Sequence, residues 1–457
     1  MTDQDIPIAI NDLLALAQKL EHEKDYDFAD RLLNRALAKL PDQPDALHLS
    51  GIVAFRLGRQ FEALEKMERA IAHGADIRLY LRNISEVYRA LGRFDEARAA
   101  AMKAAALSPD DPVCLHNLAV IQYHRLELDE CIATARRAQA LDPTIPGPHF
   151  QLAEALLLSG HWEEGWREYQ WRFDLPGNAP LMPPTRQPRW NGEHFDNETL
   201  LLIADQGFGD VIQFSRYIAW AFERCPKIAV AAAADMVPLL RQVVPEATVF
   251  TDWSHCPPFR AYRALSGLPM LHGTTPDNMI GDAPYLHADP ARAADWKQKL
   301  DRLTPRSYRR VGIVWAGRPA HNNDRWRSAS LAAFAPLAAV PGIALISLQK
   351  GPAAAQAGAY FGLAPLVNLS AEINDYGDTM AILENLDLLV TVDTSVGHLA
   401  GAMGRPVNIL LAHAPDWRWL LHRTGTPWYR SVRLSRQSET GRWDDVMTAV
   451  AASLRQP

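Results

Sequence analysis

Two stretches of the chain concentrate side chains that can do chemistry. The first, Asp387–Leu411, reads DLLVTVDTSVGHLAGAMGRPVNILL and brings Asp393, Thr394, Ser395, Gly397 and His398 together. A carboxylate, two hydroxyls, a glycine and an imidazole suit a phosphorylated ligand, because the free N–H groups opening a helix attract phosphate. The second, Asp205-Gln206-Gly207-Phe208-Gly209-Asp210, is a glycine-rich turn whose glycines let backbone come close to a ligand. It sets Asp210 in a first helical turn, aimed into the cleft with Gln206, Gly207 and Gly209. An acid there is also a simple helix-dipole partner, worth roughly 0.3–1 kcal/mol. The turn lacks a third glycine, so it is no dinucleotide fingerprint, and no GK[ST] makes it a Walker loop.

Chemistry of this kind needs a scaffold that delivers both stretches to one place. Leu388–Val392 and Val407–Leu411 are short β-branched runs, long enough for buried strands and too short for helices. Between them, small residues open a helix that Gly404-Arg405-Pro406 closes. Strands are also expected at Leu200–Ile203, Ile228–Ala232, Ala247–Phe250, around Ala264–Leu268, and at Val311–Trp315, Ala344–Leu348, Leu366–Leu369 and Ser431–Leu434. Helices alternate with them, which means parallel sheets with ligands at the strands' carboxyl ends. Arg325 or Arg327, Lys350 and the helix start at Thr394 then arrive at one sheet edge, where cations and backbone donors suit a diphosphate. Trp315, Gly317 and Trp417 line the same candidate cleft, Trp417 facing a nucleoside or walling it off.

The first third has a different period. Ala29, Ala63, Ala97, Cys131 and Gly165 stand 34 residues apart, as do Ala36, Ala70, Ala104 and Ala138, a series broken at Arg172. Gly58, Gly92 and Gly160 mark turns; Pro41, Pro109 and Pro143 close repeats. Small residues at this step let two helices cross closely, and the segment resembles the tetratricopeptide repeat (TPR), with about five units. Asn83, Asn117 and Gln151 share one phase and offer carboxamides to the backbone of an extended peptide. Trp162, Trp166 and Trp171 give the last repeat an apolar docking face toward the next domain.

Totals narrow the class. A net charge of -6 argues against general nucleic-acid binding. Four scattered cysteines without a CxxC pair fit a reducing compartment. The acidic start MTDQDIPIAI has no signal pattern, and no apolar run approaches the ~18–20 residues of a membrane span. A cytoplasmic location is expected.

With these motifs in place, residues 200–454 resemble the family-nine glycosyltransferases, the group of the ADP-heptose:lipopolysaccharide heptosyltransferases. GFGDVIQF is similar to the turn opening that family's acceptor domain, and VTVDTSVGHLAGAMGRPV to its D-[ST]-G-x-x-H-[LI]-A-A donor motif. Together with the repeats, the chain resembles bacterial TPR-glycosyltransferase fusions, including those that modify flagellin. The O-GlcNAc transferases share the plan more distantly, with an asparagine ladder in their TPR part. The resemblance implies a GT-B architecture, two Rossmann-like domains facing across a cleft. It further implies Asp210 as catalytic base, Asp393 on the donor sugar, Thr394 and Ser395 on the diphosphate, and Arg325 neutralising it. Where heptosyltransferases tend to carry glycine this chain has Ser395, its glycine falling at Gly397, which argues against ADP-heptose as donor.

The expectation is therefore a TPR solenoid over 1–176, a linker over 177–199, an acceptor-side α/β domain over 200–300 and a nucleotide-sugar-binding domain over 301–457. Its activity would be inverting transfer from a nucleotide-sugar co-substrate to Ser or Thr of a protein, flagellin being one acceptor class. No DxD-like pair is evident, so neither metal nor other cofactor is expected. The alternatives are a heptosyltransferase-like enzyme of glycan assembly and a non-enzymatic TPR adaptor.

Overall fold

A computed structural model of the chain describes residues 9–176, 181–280, 284–321 and 323–455. The acidic start and positions 177–180 of the linker lie outside them. The protein divides into two compact units, Met1–Ala155 and Leu156–Pro457. The division falls inside the fifth repeat, ahead of the expected domain end at 176.

The first unit is built from helix pairs: Ile10–His22 with Tyr26–Lys39, Pro44–Arg56 with Gln60–His73, Arg78–Ala90 with Phe94–Leu107, and Pro112–His124 with Leu128–Leu141. Ala29, Ala63, Ala97 and Cys131 are fully buried where paired helices cross. The turn inside each pair needs one residue in the left-handed region. Gly58 and Gly92 supply it at φ 79° and 76°, and Lys24 and Leu126 hold the equivalent position at 64° and 59°; Gly160, at 87°, does the same in the second unit, between Pro146–Leu158 and Trp162–Tyr169. Pro44 and Pro112 sit at helix starts, where a missing N–H costs nothing.

The second unit holds two parallel sheets. Strands β1 (Thr199–Ile203), β2 (Lys227–Ala231), β3 (Thr248–Phe250) and β4 (Ala261–Ala264) form the first, in the order β3-β2-β1-β4. The second contains β5 (Arg309–Val314), β6 (Ile343–Ser347), β7 (Leu366–Asn368), β8 (Leu388–Val392), β9 (Val407–Leu411) and β10 (Val432–Arg436). Its order, β10-β9-β8-β5-β6-β7, is that of a doubly wound Rossmann sheet. The fold class is thus a TPR solenoid plus Rossmann-like α/β domains. Val311, Ile313, Leu345, Val390 and Val392 form the second sheet's core, closed by Trp443 at the start of the last helix and by Met447 and Leu454 within it.

Two local expectations shift. The strand awaited around Ala264–Leu268 lies at Ala261–Ala264, because Leu265–Gly267 turns into a 3-10 helix. The helix after the glycine-rich turn begins at Phe208 and is broken near Arg216, where the Ser215 hydroxyl and Arg216 Nε donate to the Ile212 and Gln213 carbonyls. The linker is pinned: Trp190 is fully buried, its N–H donating to the Tyr262 carbonyl at 2.8 Å.

Within this unit, Trp166 Nε1 donates to the Thr274 carbonyl (2.9 Å), Trp162 stacks on Trp428 (5.5 Å) and Trp166 meets Trp417 edge-on (5.2 Å). These tryptophans of the last repeat are therefore part of the α/β unit's own core.

Candidate active site

Each sheet reverses its strand order once, between β1 and β4 and between β5 and β8. Chains leaving neighbouring strands in opposite directions open a crevice there, the usual ligand position in such sheets. Asp205 and Gln206 follow β1 and Ser266 follows β4; Asp393 follows β8 and Gly317 follows β5. Both candidate stretches thus emerge at switch points.

The first crevice is braced by buried charge. Asp205 accepts from the Ser266 N–H (3.1 Å) and hydroxyl, while Arg172, 3% exposed, donates to the Ser266 hydroxyl and lies 3.6 Å from Asp205. The Arg172 guanidinium also lies over the Phe173 ring at 3.8 Å. Gln206 holds φ 68°. Its carboxamide, with oxygen toward Arg172 (2.6 Å to Nε) and nitrogen toward Asp210 (3.2 Å to Oδ1), connects the brace to the acid. Asp210 Oδ2 accepts the Gly207 N–H at 3.1 Å, so the helix-start role is real.

Asp210 and Asp393 meet through the loop after β9. Arg418 Nη2 donates to Asp210 Oδ1 at 2.6 Å, its Nε to Gln213 Oε1 at 2.7 Å, and its Nη1 pairs with Asp416 at 2.7 Å. The next residue, Trp419, is fully buried and donates from Nε1 to Asp393 Oδ2 at 2.9 Å. His398 Nε2 lies 3.9 Å from Asp393 Oδ1, and its Nδ1 shares a 3.0 Å hydrogen bond with the Tyr429 hydroxyl. The two crevices touch: a Cβ on Gly209 would come within 3.0 Å of His398 Cδ2. Only glycine allows that approach without displacing the ring.

Burial pushes the Asp210 and Asp393 carboxyls above the usual carboxylate range; Arg418 opposes the shift at both, and Asp416 adds to it. Burial alone would disfavour the Arg418 charge, yet Asp416 and Asp210 raise its pKa and keep it protonated. Desolvation, followed by Arg418, Arg216 and Arg327, holds His398 well below an ordinary imidazole, so it is neutral near pH 7. This arrangement can hold a proton on either carboxyl and presents one fixed cation between them.

The remaining expected residues divide into those at the site and those engaged elsewhere. Thr394 begins the helix Ser395–Ala402, but its hydroxyl turns to Thr391 (3.0 Å) instead of capping it. Ser395 accepts from the Tyr376 hydroxyl at 2.9 Å, and Tyr376 meets Phe208 edge-on at 5.7 Å. Gly397 packs where a Cβ would lie 3.1 Å from Ile409. Arg325 is exposed over the Trp326 ring (4.5 Å), whereas Arg327 is half-buried and its charge reaches Asp393. The spacing along the Asp324–Arg327 helical turn decides between them, since only one arginine of the turn faces inward. Lys350 Nζ donates to the Ser370 and Ile373 carbonyls (2.7 and 2.9 Å). Trp315 is fully buried in the sheet core and does not line the cleft; Gly317 packs against Arg327. Trp417 is likewise buried, among Trp166, Tyr169 and Trp428. In the solenoid, Asn83 Nδ2 bonds His48 Nε2 (3.0 Å), Asn117 Nδ2 donates to the Arg82 carbonyl (3.4 Å), and Gln151 is buried against Cys131.

Sequence reasoning missed Arg418, Asp416 and Arg172. Arg172 had left a signal, as the bulky residue where the alanine series breaks. Arg418 and Asp416 lie in the aromatic and charged loop 413–419, which the sequence sets beside the same sheet edge, but nothing in its spacing gives them a role there.

No family model matches the chain. It is similar to Protein FlbA of Caulobacter vibrioides, 26% identical over 336 residues covering 67% of this chain. The chain spans about half the length of that curated relative, 54%. Among solved structures it is similar to MamA (16% identity, TM-score 0.32, 37% of this chain and 95% of that one). A thermophilic TPR protein of Thermus thermophilus gives 24% identity, TM-score 0.33, and 37% and 93% coverage.

Proposed function

We propose that this chain is a glycosyltransferase that moves a sugar from a nucleotide-sugar donor to a Ser or Thr hydroxyl of a protein, the solenoid binding the acceptor chain. The observation carrying the proposal is the junction at Arg418-Trp419. Two carboxylates from the switch points of two different sheets, Asp210 and Asp393, are held by adjacent residues of one loop.

In this reading the acceptor oxygen attacks the anomeric carbon and its proton passes to Asp210. The bond from that carbon to the diphosphate breaks, and the electron pair leaves with the phosphate. A well-placed base contributes typically 10²–10⁴-fold. Burial favours the proton on Asp210, but its present bond to Arg418 must be exchanged before the carboxylate can accept one. Arg418, once released, is a guanidinium whose charge already acts on Asp393 and which is suited to the departing diphosphate. Asp393 holds the donor, oriented by Trp419 and the neutral His398; Arg327 is the arginine that meets the negative charge. Flagellin is the acceptor class that the resemblance implies, and the similarity to FlbA runs over 336 residues, a length greater than either compact unit.

The test is direct. Nucleotide sugars are screened by thermal shift, where a ligand at 100 times its dissociation constant adds ~2.7 kcal/mol. Candidate acceptors are then weighed by intact mass. Asp210→Asn is expected to keep the donor-induced shift and lose the mass increment. A chain that no nucleotide sugar stabilises, with no acceptor gaining mass, ends this reading. Removing residues 1–142, which leaves the helix Pro146–Leu158 whole, is expected to spare donor binding and abolish acceptor modification.

A further inference from the structure

The loop that carries Arg418 continues into a second cluster of positive charge, which the proposed reaction does not use. It is an open cavity of about 620 Å³ at the carboxyl end of β10, lined by His422, Arg423, Thr424, Gly425, Leu434 and Arg436. We infer that this cavity is an anion site that takes a phosphate-bearing small molecule.

Charge balance is the first argument. Among the described residues, no carboxylate pairs with Arg423 or Arg436, whereas Arg418 of the same loop is paired with both Asp210 and Asp416. Arg436 is partly withdrawn from water, and its Nη1 is buried without any hydrogen-bond partner. Desolvation, and then repulsion from Arg423, pulls the Arg436 guanidinium down to about 10. Two like charges left unbalanced are relieved by one bound anion, the exposed Arg423 supplying the donors and Arg436, fixed on the Arg423 and Trp419 carbonyls, supplying charge.

Backbone geometry is the second. Leu420 and His422 hold φ 52° and 53°, a conformation costly for residues with side chains. Such strain persists where surrounding structure enforces it, commonly at ligand clamps. Here it turns His422 and Arg423 outward beside Arg436, so that an imidazole, two guanidiniums and the Thr424 hydroxyl share one lining. Guanidinium pairs match the spacing of phosphate oxygens, and the volume falls in the ordinary range for small-molecule sites. No Phe, Tyr or Trp ring lines the cavity, so the phosphate group itself, rather than a stacked base, would be recognised. The site is chemically distinct from the Asp210–Asp393 junction but mechanically joined to it: Arg436 Nη2 donates to the Trp419 carbonyl at 2.8 Å, and Trp419 holds Asp393.

The inference stands whether or not the chain transfers sugar. Its test is calorimetric titration of the full chain with inorganic pyrophosphate and, separately, uridine diphosphate, at constant ionic strength. The proteins compared are the wild type, Arg423→Gln, Arg436→Gln and Arg327→Gln. The expected result is saturable pyrophosphate binding that weakens about tenfold in Arg423→Gln, whose exposed side chain is not needed for folding, and persists in Arg327→Gln. Equal responses to the two ligands make the phosphate group sufficient. A tighter, Arg423-dependent response to uridine diphosphate names a nucleotide as the source. Absence of saturable binding in the wild type overturns the inference, as does a titration unchanged by Arg423→Gln. So does binding lost only in Arg327→Gln, since the anion would then occupy the Asp393 crevice.

Discussion

Asp210 is held between opposed influences: burial favours its neutral form, and Arg418 favours its charge. A carboxyl with a raised folded pKa binds its proton more readily folded than unfolded. Its favourable contribution is complete below the ordinary carboxylate value near ~4 and is lost as pH rises through the folded value. Removing Arg418 raises that folded value further and leaves Asp210 and Asp416 without their shared cation. Arg418→Met is therefore expected to cost about 3–5 kcal/mol at pH 7, as for other broken buried pairs. The loss should shrink as pH is lowered toward 5 and Asp210, raised by burial, takes up a proton. Urea unfolding at both pH values measures it; an equal loss at the two would mean that Asp210 and Asp416 are not left charged and unpaired.

At the scale of elements, the solenoid depends on its turns and on one buried histidine. Gly58 sits at φ 79° with nothing within 4 Å of an added Cβ, so alanine there meets only backbone strain. Gly58→Ala should destabilise the chain by about 1 kcal/mol, read from the urea midpoint at unchanged slope. His48 is 5% exposed, against Tyr80 and Asn83, and burial pulls it down to about 4 despite Asp45. The unfolded chain takes up that proton first. The stability His48 confers is thus full above its ordinary value and lost as pH falls from there toward 4, by up to about 3 kcal/mol. His48→Gln should remove that share of acid sensitivity from the transition of the repeats, followed by helical circular dichroism.

For the molecule as a whole, the two Rossmann-like domains depend on close approach at Gly209. Gly209→Ala places a methyl 3.0 Å from the His398 ring, on a face where His398 is already held by Tyr429. Either the ring or the junction must shift. Donor binding, measured by thermal shift with a nucleotide sugar, is expected to fall at least about tenfold, while the solenoid's own transition stays unchanged, since separate cores unfold as separate units. A variant binding donor like the wild type would show the approach to be incidental.

How much was readable beforehand follows from the range of each interaction. The 34-residue period, the parallel strands after Leu200 and Val311, and the turns ending in Asp210 and Asp393 rest on local periodicity and turn chemistry, which a linear chain carries openly. Composition and spacing could also offer Arg325, Lys350 and Trp315 as site residues, because alternation along a chain gives the element but not the direction of each side chain. Tertiary packing decided those directions. It turned Arg327 rather than Arg325 toward Asp393, tied Lys350 to backbone carbonyls and sank Trp315 into the sheet. It also joined Asp210 to Arg418 across 208 positions and brought Arg172 across 94 positions to Ser266. No period links residues so far apart; they meet because each sheet reverses its strand order where they emerge, and that reversal exists only once the sheets have formed.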